Sequence, residues 1–218
     1  MSNFKKSLFE QFANIAKAMG SGNRLEILDY LAQCEYSVEN LASVMDLSVA
    51  NTSHHLQLLR HAGLVETRKE KQRVFYRLSG NDVFDLVNSL RTVAERHLAE
   101  VDRLINAFLV SKDSLEPVPR AELLQRVQDG LVTVLDVRPP VEYAAGHLPG
   151  AVNIPLAELE QHLQELDPDQ EVVAYCRGPH CLLAFEAVVQ LREKGFVAHR
   201  LQDGFPEWKQ AGLPVESV

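Results

Sequence analysis

No run of 18 apolar residues occurs among the 218 positions, and the opening Met1-Ser2-Asn3-Phe4-Lys5-Lys6 lacks the apolar core and cleavage site of an export signal. Neither a membrane span nor secretion is expected; a soluble cytoplasmic chain is. Cysteine is scarce. Three residues, Cys34, Cys176 and Cys181, are too few for the disulfide framework of a small secreted domain, so each reads as reactive, metal-binding or simply buried. No internal repeat or low-complexity tract appears. An excess of positive charge is missing as well: the formal net charge is -8. It is unevenly spread, with 13 Lys+Arg against 13 Asp+Glu in residues 1–110 and 9 against 17 in residues 111–218. Only the first half can approach a polyanion, and only through a local basic patch.

What is present is two patterns in series. Phe4, Leu8, Phe9, Phe12, Ile15, Ala16 and Met19 recur at helical spacing until Gly20 and Gly22. Leu25, Ile27, Leu28 and Leu31 suggest a second helix. Ser37 caps a short third over 38–44, and Ser48 caps a fourth that runs to His61 and is closed by Gly63. Two β-rich runs, 64–68 and 73–78, flank a charged tip. One long helix is expected from Asn81 to Val110, and its apolar stripe, together with that of the first helix, predicts a homodimer interface. After a proline-bearing linker at 111–117 the pattern becomes alternating short strands and helices, which indicates a parallel α/β sheet over 118–218.

The first unit, 1–110, therefore reads as a mainly α winged helix-turn-helix on double-stranded DNA. In the fourth helix Ala50 and Leu56 are expected to face inward, while Ser48, Asn51, Thr52, Ser53, His54, His55 and Gln57 reach base edges. In the hairpin, Arg68, Lys69, Lys71, Arg73 and Arg77 contact phosphate, which gives affinity without sequence information. His54 and His55 face about 100° apart on a helix and do not converge as ligands.

The second unit carries the most telling stretch, Tyr175-Cys176-Arg177-Gly178-Pro179-His180-Cys181-Leu182, between a strand-like run and a helical one. A Cys in a loop that opens a helix meets backbone N–H donors and the positive end of a helix dipole, which favours thiolate. Cys176 is the expected nucleophile. Arg177 and the N–H groups of Gly178, His180, Cys181 and Leu182 would hold its anion. Cys181 either packs at the helix start or resolves a Cys176 persulfide or sulfenic acid as a disulfide.

The stretch from Ser48 to Val65, followed by the Arg73–Arg77 wing, resembles the ArsR/SmtB family of dimeric bacterial repressors, over about residues 1–110. The resemblance implies a homodimer on an operator, released by a chemical signal. The family's third-helix Cys-Val-Cys site is absent: Ser37-Val38-Glu39-Asn40-Leu41 stands there. Of its last-helix metal site only His97-Leu98-Ala99-Glu100 matches, with Phe84 and Leu86 where the other ligands would be. No metal and no cofactor are therefore expected, and His97 reads as an interface residue. Cys34 sits where some persulfide-sensing members keep one of two cysteines, but 81–110 contain no second one.

Residues 117–215 resemble a rhodanese domain on three landmarks: Leu135 to Tyr143 running on to Pro155, the Cys176 loop, and Leu201 to Trp208. The resemblance implies that Cys176 takes sulfane sulfur as a persulfide and passes it to a thiol acceptor. Asp136, Arg138, Glu142, His147, Asp203 and Trp208 read as structural, with an Arg138–Glu142 ion pair and Trp208 in the core. The loop departs from the family's Cys-Arg-x-Gly form: Gly178 comes one place early, Pro179 removes an N–H, and Cys181 occupies the sixth position. Counting Cys-x5-Arg lands on Leu182, which excludes a phosphatase relative. The functional expectation is a DNA-binding regulator, a repressor, that responds to reactive sulfur or redox state. The alternatives are a working sulfurtransferase with a DNA-binding module and, with less residue support, a metal- or arsenic-responsive repressor.

Overall fold

The computed structural model describes residues 2–112 and 116–218. The chain divides into two compact units, residues 1–92 and 93–218. Of the expected linker, residues 113–115 lie outside the described residues.

The first unit opens with α1 (Ser2–Met19) and α2 (Gly22–Gln33), followed by strand β1 (Tyr36–Ser37), α3 (Val38–Val44) and α4 (Val49–His61). Ser37 and Ser48 cap α3 and α4 as read from sequence, each hydroxyl accepting from the backbone N–H three residues on. Gly63, at φ 75, lets the chain leave α4 through a left-handed turn. Strands β2 (Val65–Glu70) and β3 (Arg73–Leu78) pair antiparallel from Val65–Leu78 to Glu70–Arg73, which leaves Lys71 and Gln72 as a two-residue tip. Strand β1 joins the other edge of β3, Tyr36 opposite Tyr76, a strand too short for period-2 patterning to reveal. Ile27, Leu28, Leu31, Leu41, Leu56 and Leu59 form the core beneath these elements.

The long helix expected from Asn81 to Val110 is broken. Helix α5 (Asn81–His97) ends before Leu98, whose extended backbone (ψ 101) restarts the chain as α6 (Ala99–Ile105), and a π turn spans Asn106–Val110. The apolar spacing runs through the break, so periodicity alone does not show it.

The second unit holds α7 (Arg120–Gln128), β4 (Val132–Asp136), α8 (Pro140–Ala145), β5 (Val152–Asn153), β6 (Glu171–Tyr175), α9 (Leu182–Glu193), β7 (Ala198–Arg200) and α10 (Phe205–Gln210). The sheet is parallel, in the order β5-β4-β6-β7. Alternate residues serve opposite faces: Leu135, Val172 and Ala174 pack with Ala187 and Val188 of α9, whereas Val134, Val173 and Tyr175 pack with Leu123 of α7 and Trp208 of α10. Apolar cover on both faces explains why β4 and β6 read as near-continuous hydrophobic runs.

Candidate functional site

Cys176 follows the last residue of β6, and Cys181 is the residue before α9, so one short loop brings two thiols to a helix N-terminus. The sheet and α10 hold that loop in place. Asp136, fully buried at the end of β4, accepts from Arg138 Nη2 at 2.6 Å and from the Tyr175 hydroxyl at 2.5 Å. Arg138 Nη2 also donates to the Gly146 carbonyl at 2.7 Å, and its guanidinium lies over the Phe205 ring. Burial and the Asp136 charge push the Tyr175 phenol far above its ordinary range, so it stays a donor just before Cys176. On the other side the Phe205 N–H donates to the Cys176 carbonyl at 3.1 Å. Gly204 packs on the Arg177–Gly178 peptide, where a Cβ would collide with Gly178 N and Cα and with the Arg177 carbonyl carbon. The third rhodanese-like landmark is thus a backstop for the cysteine loop. Trp208 is in the core, as expected, with Nε1 donating to the Pro214 carbonyl.

Arg138 is clamped on Asp136 and also feels the charge of Glu142, while Glu142, which is fully buried, holds Arg177 through Nη2–Oε1 at 2.7 Å and Nε–Oε1 at 2.9 Å. The Arg177 guanidinium is thus bound to a carboxylate, which positions the loop, and its charge still favours the Cys181 thiolate.

The two thiols differ in burial and surroundings. Cys176 is 2% exposed, and its thiol donates to the Cys181 carbonyl at 3.4 Å, with the Gly178 carbonyl at 3.8 Å. Burial, first, and the neighbouring Cys181 sulfur push the Cys176 thiol well above the usual range, against the backbone N–H groups of Gly178 and Ala184. Cys181 is half-buried. A hydrogen bond from Cys176, backbone N–H groups of Arg177 and Leu183, and the Arg177 charge lower it to about 7 although burial opposes them. The Cys181 N–H does not face an anion, because it donates to the Gly178 carbonyl at 3.1 Å. His180 and Leu182 are exposed. Sequence reasoning missed the amides of Leu183 and Ala184; they lie in the first turn of α9, where unpaired N–H groups always gather.

On α4, Ser48, Asn51 and His54 are exposed and Ser53 is partly so. Ala50 is exposed too, not inward as expected; it offers a methyl group of the kind that meets thymine. Thr52 does not face outward: it is fully buried, its hydroxyl donating to the Ser48 carbonyl at 3.1 Å. His55 turns inward toward Asn23, 3.5 Å from Nε2, and burial lowers its pKa. Gln57 bonds the Tyr76 hydroxyl at 3.2 Å.

In the wing, Arg68 is held by Glu35 (2.8 Å) and Glu70 (2.7 Å), and Arg77 by Glu66 (2.7 Å). Lys69, Lys71 and Arg73 are exposed with no ion-pair partner among the described residues. Cys34 is half-buried against the first unit's core, as an apolar filler is.

Two family models match the chain: the bacterial regulatory proteins of the arsR family over residues 21–67, and the rhodanese-like domain over residues 119–211. An HTH-type transcriptional regulator of Mycobacterium tuberculosis is 46% identical over 215 residues, 99% of this chain and 94% of that protein. A sulfurtransferase of Allochromatium vinosum is 32% identical over 95 residues, 43% of this chain and 87% of that one. Among solved structures, the homodimeric winged helix-turn-helix DNA-binding domain of a possible ArsR-family regulator from Mycobacterium bovis is 42% identical, covering 45% of this chain and 91% of that chain with a TM-score of 0.43.

Proposed function

The chain belongs to the ArsR family of winged helix-turn-helix transcriptional regulators, with a C-terminal rhodanese-like domain, and from that premise we propose a cytoplasmic homodimeric repressor whose hold on operator DNA is set by sulfur chemistry at Cys176 and Cys181. The observation that carries this reading is a pair of thiols in one short loop at the start of α9, with the Cys181 carbonyl 3.4 Å from the buried Cys176 sulfur. Such a pair converts a sulfane-sulfur donor or an oxidant into a reversible disulfide. DNA is contacted through Ser48, Asn51, Ser53 and His54 and through the wing cations Lys69, Lys71 and Arg73. Dimerisation is supported by apolar side chains left in the open: Phe9 is 58% exposed and Phe12 57% on α1, Leu90 43% and Val93 56% on α5.

The test measures DNA binding before and after polysulfide treatment for wild type, Cys176→Ser, Cys181→Ser and Cys34→Ser, with intact mass for each. The expected result is release of wild type and Cys34→Ser only. Equal release of every variant would refute the cysteine switch.

A working sulfurtransferase is the second reading, favoured by the likeness to the Allochromatium vinosum protein. It requires repeated transfer from thiosulfate or a persulfide to a thiol. A 2% exposed Cys176 and the missing amide at Pro179 weigh against efficient turnover.

A further inference from the structure

We propose that Cys181, not the cysteine at the usual rhodanese position, attacks the incoming sulfane sulfur, and that Cys176 is the resolving thiol that closes the disulfide. This assignment rests on the reading of the pair as sulfur-responsive and gives each sulfur its role within it.

Access is the first ground. An attacking sulfur must reach the donor in line with the bond it breaks, and Cys176 is packed among Leu135, Val137, Val172 and Ala184 with 2% of its surface open. Cys181, the residue that begins α9, is only half-buried. Hydrogen-bond polarity is the second. Two carbonyl oxygens, those of Cys181 and Gly178, stand 3.4 and 3.8 Å from the Cys176 sulfur; they accept its proton and would repel its anion. The N–H groups of Gly178 and Ala184 offset them only in part, whereas at Cys181 the N–H groups of Arg177 and Leu183 favour the anion and α9 directs its positive end there. The Cys181 carbonyl oxygen stands 3.4 Å from the Cys176 sulfur in the same short loop, so a group loaded on one thiol is brought close to the other.

The chemistry balances with a hydropersulfide donor, RSSH. The Cys181 thiolate attacks the terminal sulfur; a Cys181 S–S bond forms, the donor's S–S bond breaks, and RS⁻ leaves with the electron pair. Cys176 then attacks the Sγ of Cys181. The Cys176–Cys181 bond forms, hydrosulfide leaves with the electron pair, and the Cys176 proton goes to that sulfide. The two thiols are oxidised by two electrons and the sulfane sulfur is reduced to sulfide.

The experiment treats the reduced full-length chain with glutathione hydropersulfide, then alkylates it and reads intact mass and peptide maps over time. Cys176→Ser is expected to retain one extra sulfur on Cys181, taken up at close to the wild-type rate, whereas uptake in Cys181→Ser falls about ten-fold or more. Wild type ends as the internal disulfide. Because a variant can disturb the loop, a second measurement uses wild type alone: substoichiometric N-ethylmaleimide should label Cys181 about ten times more than Cys176. Sulfur trapped on Cys176 of Cys181→Ser at the wild-type rate, or preferential labelling of Cys176, overturns the assignment while leaving the sulfur-responsive reading standing. If wild type gains neither sulfur nor a disulfide, that reading falls and the assignment with it.

Discussion

Glu142 and Arg177 form a two-pronged ion pair beneath the cysteine loop, with Nη2–Oε1 at 2.7 Å and the carboxylate wholly buried. The pair ties α8 to the residue after Cys176 and leaves Arg177 beside Cys181, where its charge favours the thiolate. Glu142→Gln removes the buried charge and strands the guanidinium. The expected cost is about 3 kcal/mol in a denaturant melt of the full chain. A melt unchanged within about 0.5 kcal/mol would show that the pair does not hold the loop.

The thiol pair predicts a pH profile. Cys181 lies at about 7 because Cys176 donates to it. Its alkylation by iodoacetamide should rise with pH, reach half its maximum near pH 7 and level off above. In Cys176→Ala that donor is gone, so the midpoint moves upward toward an ordinary thiol. A variant midpoint equal to the wild-type one would remove Cys176 from the account.

Gly204 is required by close approach, since a Cβ there would collide with the backbone of Gly178 and Arg177. Gly204→Ala is expected to destabilise by about 1–3 kcal/mol and to shift the loop enough to slow Cys181 labelling. Gly22→Ala, with nothing within 4 Å of the added carbon, is the control that leaves both readings unchanged.

The wing separates two kinds of cation. Lys69, Lys71 and Arg73 can reach phosphate without breaking an ion pair; Arg68 and Arg77 cannot. Binding to a duplex selected by the wild-type protein from a random pool, measured over a range of salt, should lose about one unit of log–log slope for each of Lys69→Ala, Lys71→Ala and Arg73→Ala. Arg68→Ala should keep the slope and weaken the wing's stability instead. Equal slope changes in all four would refute the distinction.

The proposed dimer places its interface on the exposed apolar stripe of α1 and α5. Leu90→Glu places a charge on it, and light scattering should then report a monomer with weakened DNA binding. A Leu90→Glu dimer of unchanged mass would move the interface elsewhere.

The element order was open to reading because local rules enforce it. Ser37 and Ser48 cap helices through their own hydroxyls, Gly63 turns left-handed where a side chain is strained, and the buried strands β4 and β6 must be apolar on both faces. Local rules also placed both cysteines at the entrance of α9. Three features needed the folded chain. The break at Leu98 lies inside an unbroken apolar rhythm; Thr52 and His55 sit in a helix that reads as polar throughout this stretch, and packing alone turns them inward; the partner of Glu142 is 35 residues away.

The amino-acid order by itself decided that two thiols would share one anion-favouring loop, because the two cysteines, five residues apart, are enclosed by a strand end and a helix start. How the surroundings bias each thiol was decided only in three dimensions. Burial penalises the anion at Cys176 and outweighs the N–H groups of Gly178 and Ala184, two carbonyl oxygens face its sulfur, and the amides of Arg177 and Leu183 favour the anion at Cys181. Desolvation and dipole direction belong to a place in the fold, and no residue type carries them alone.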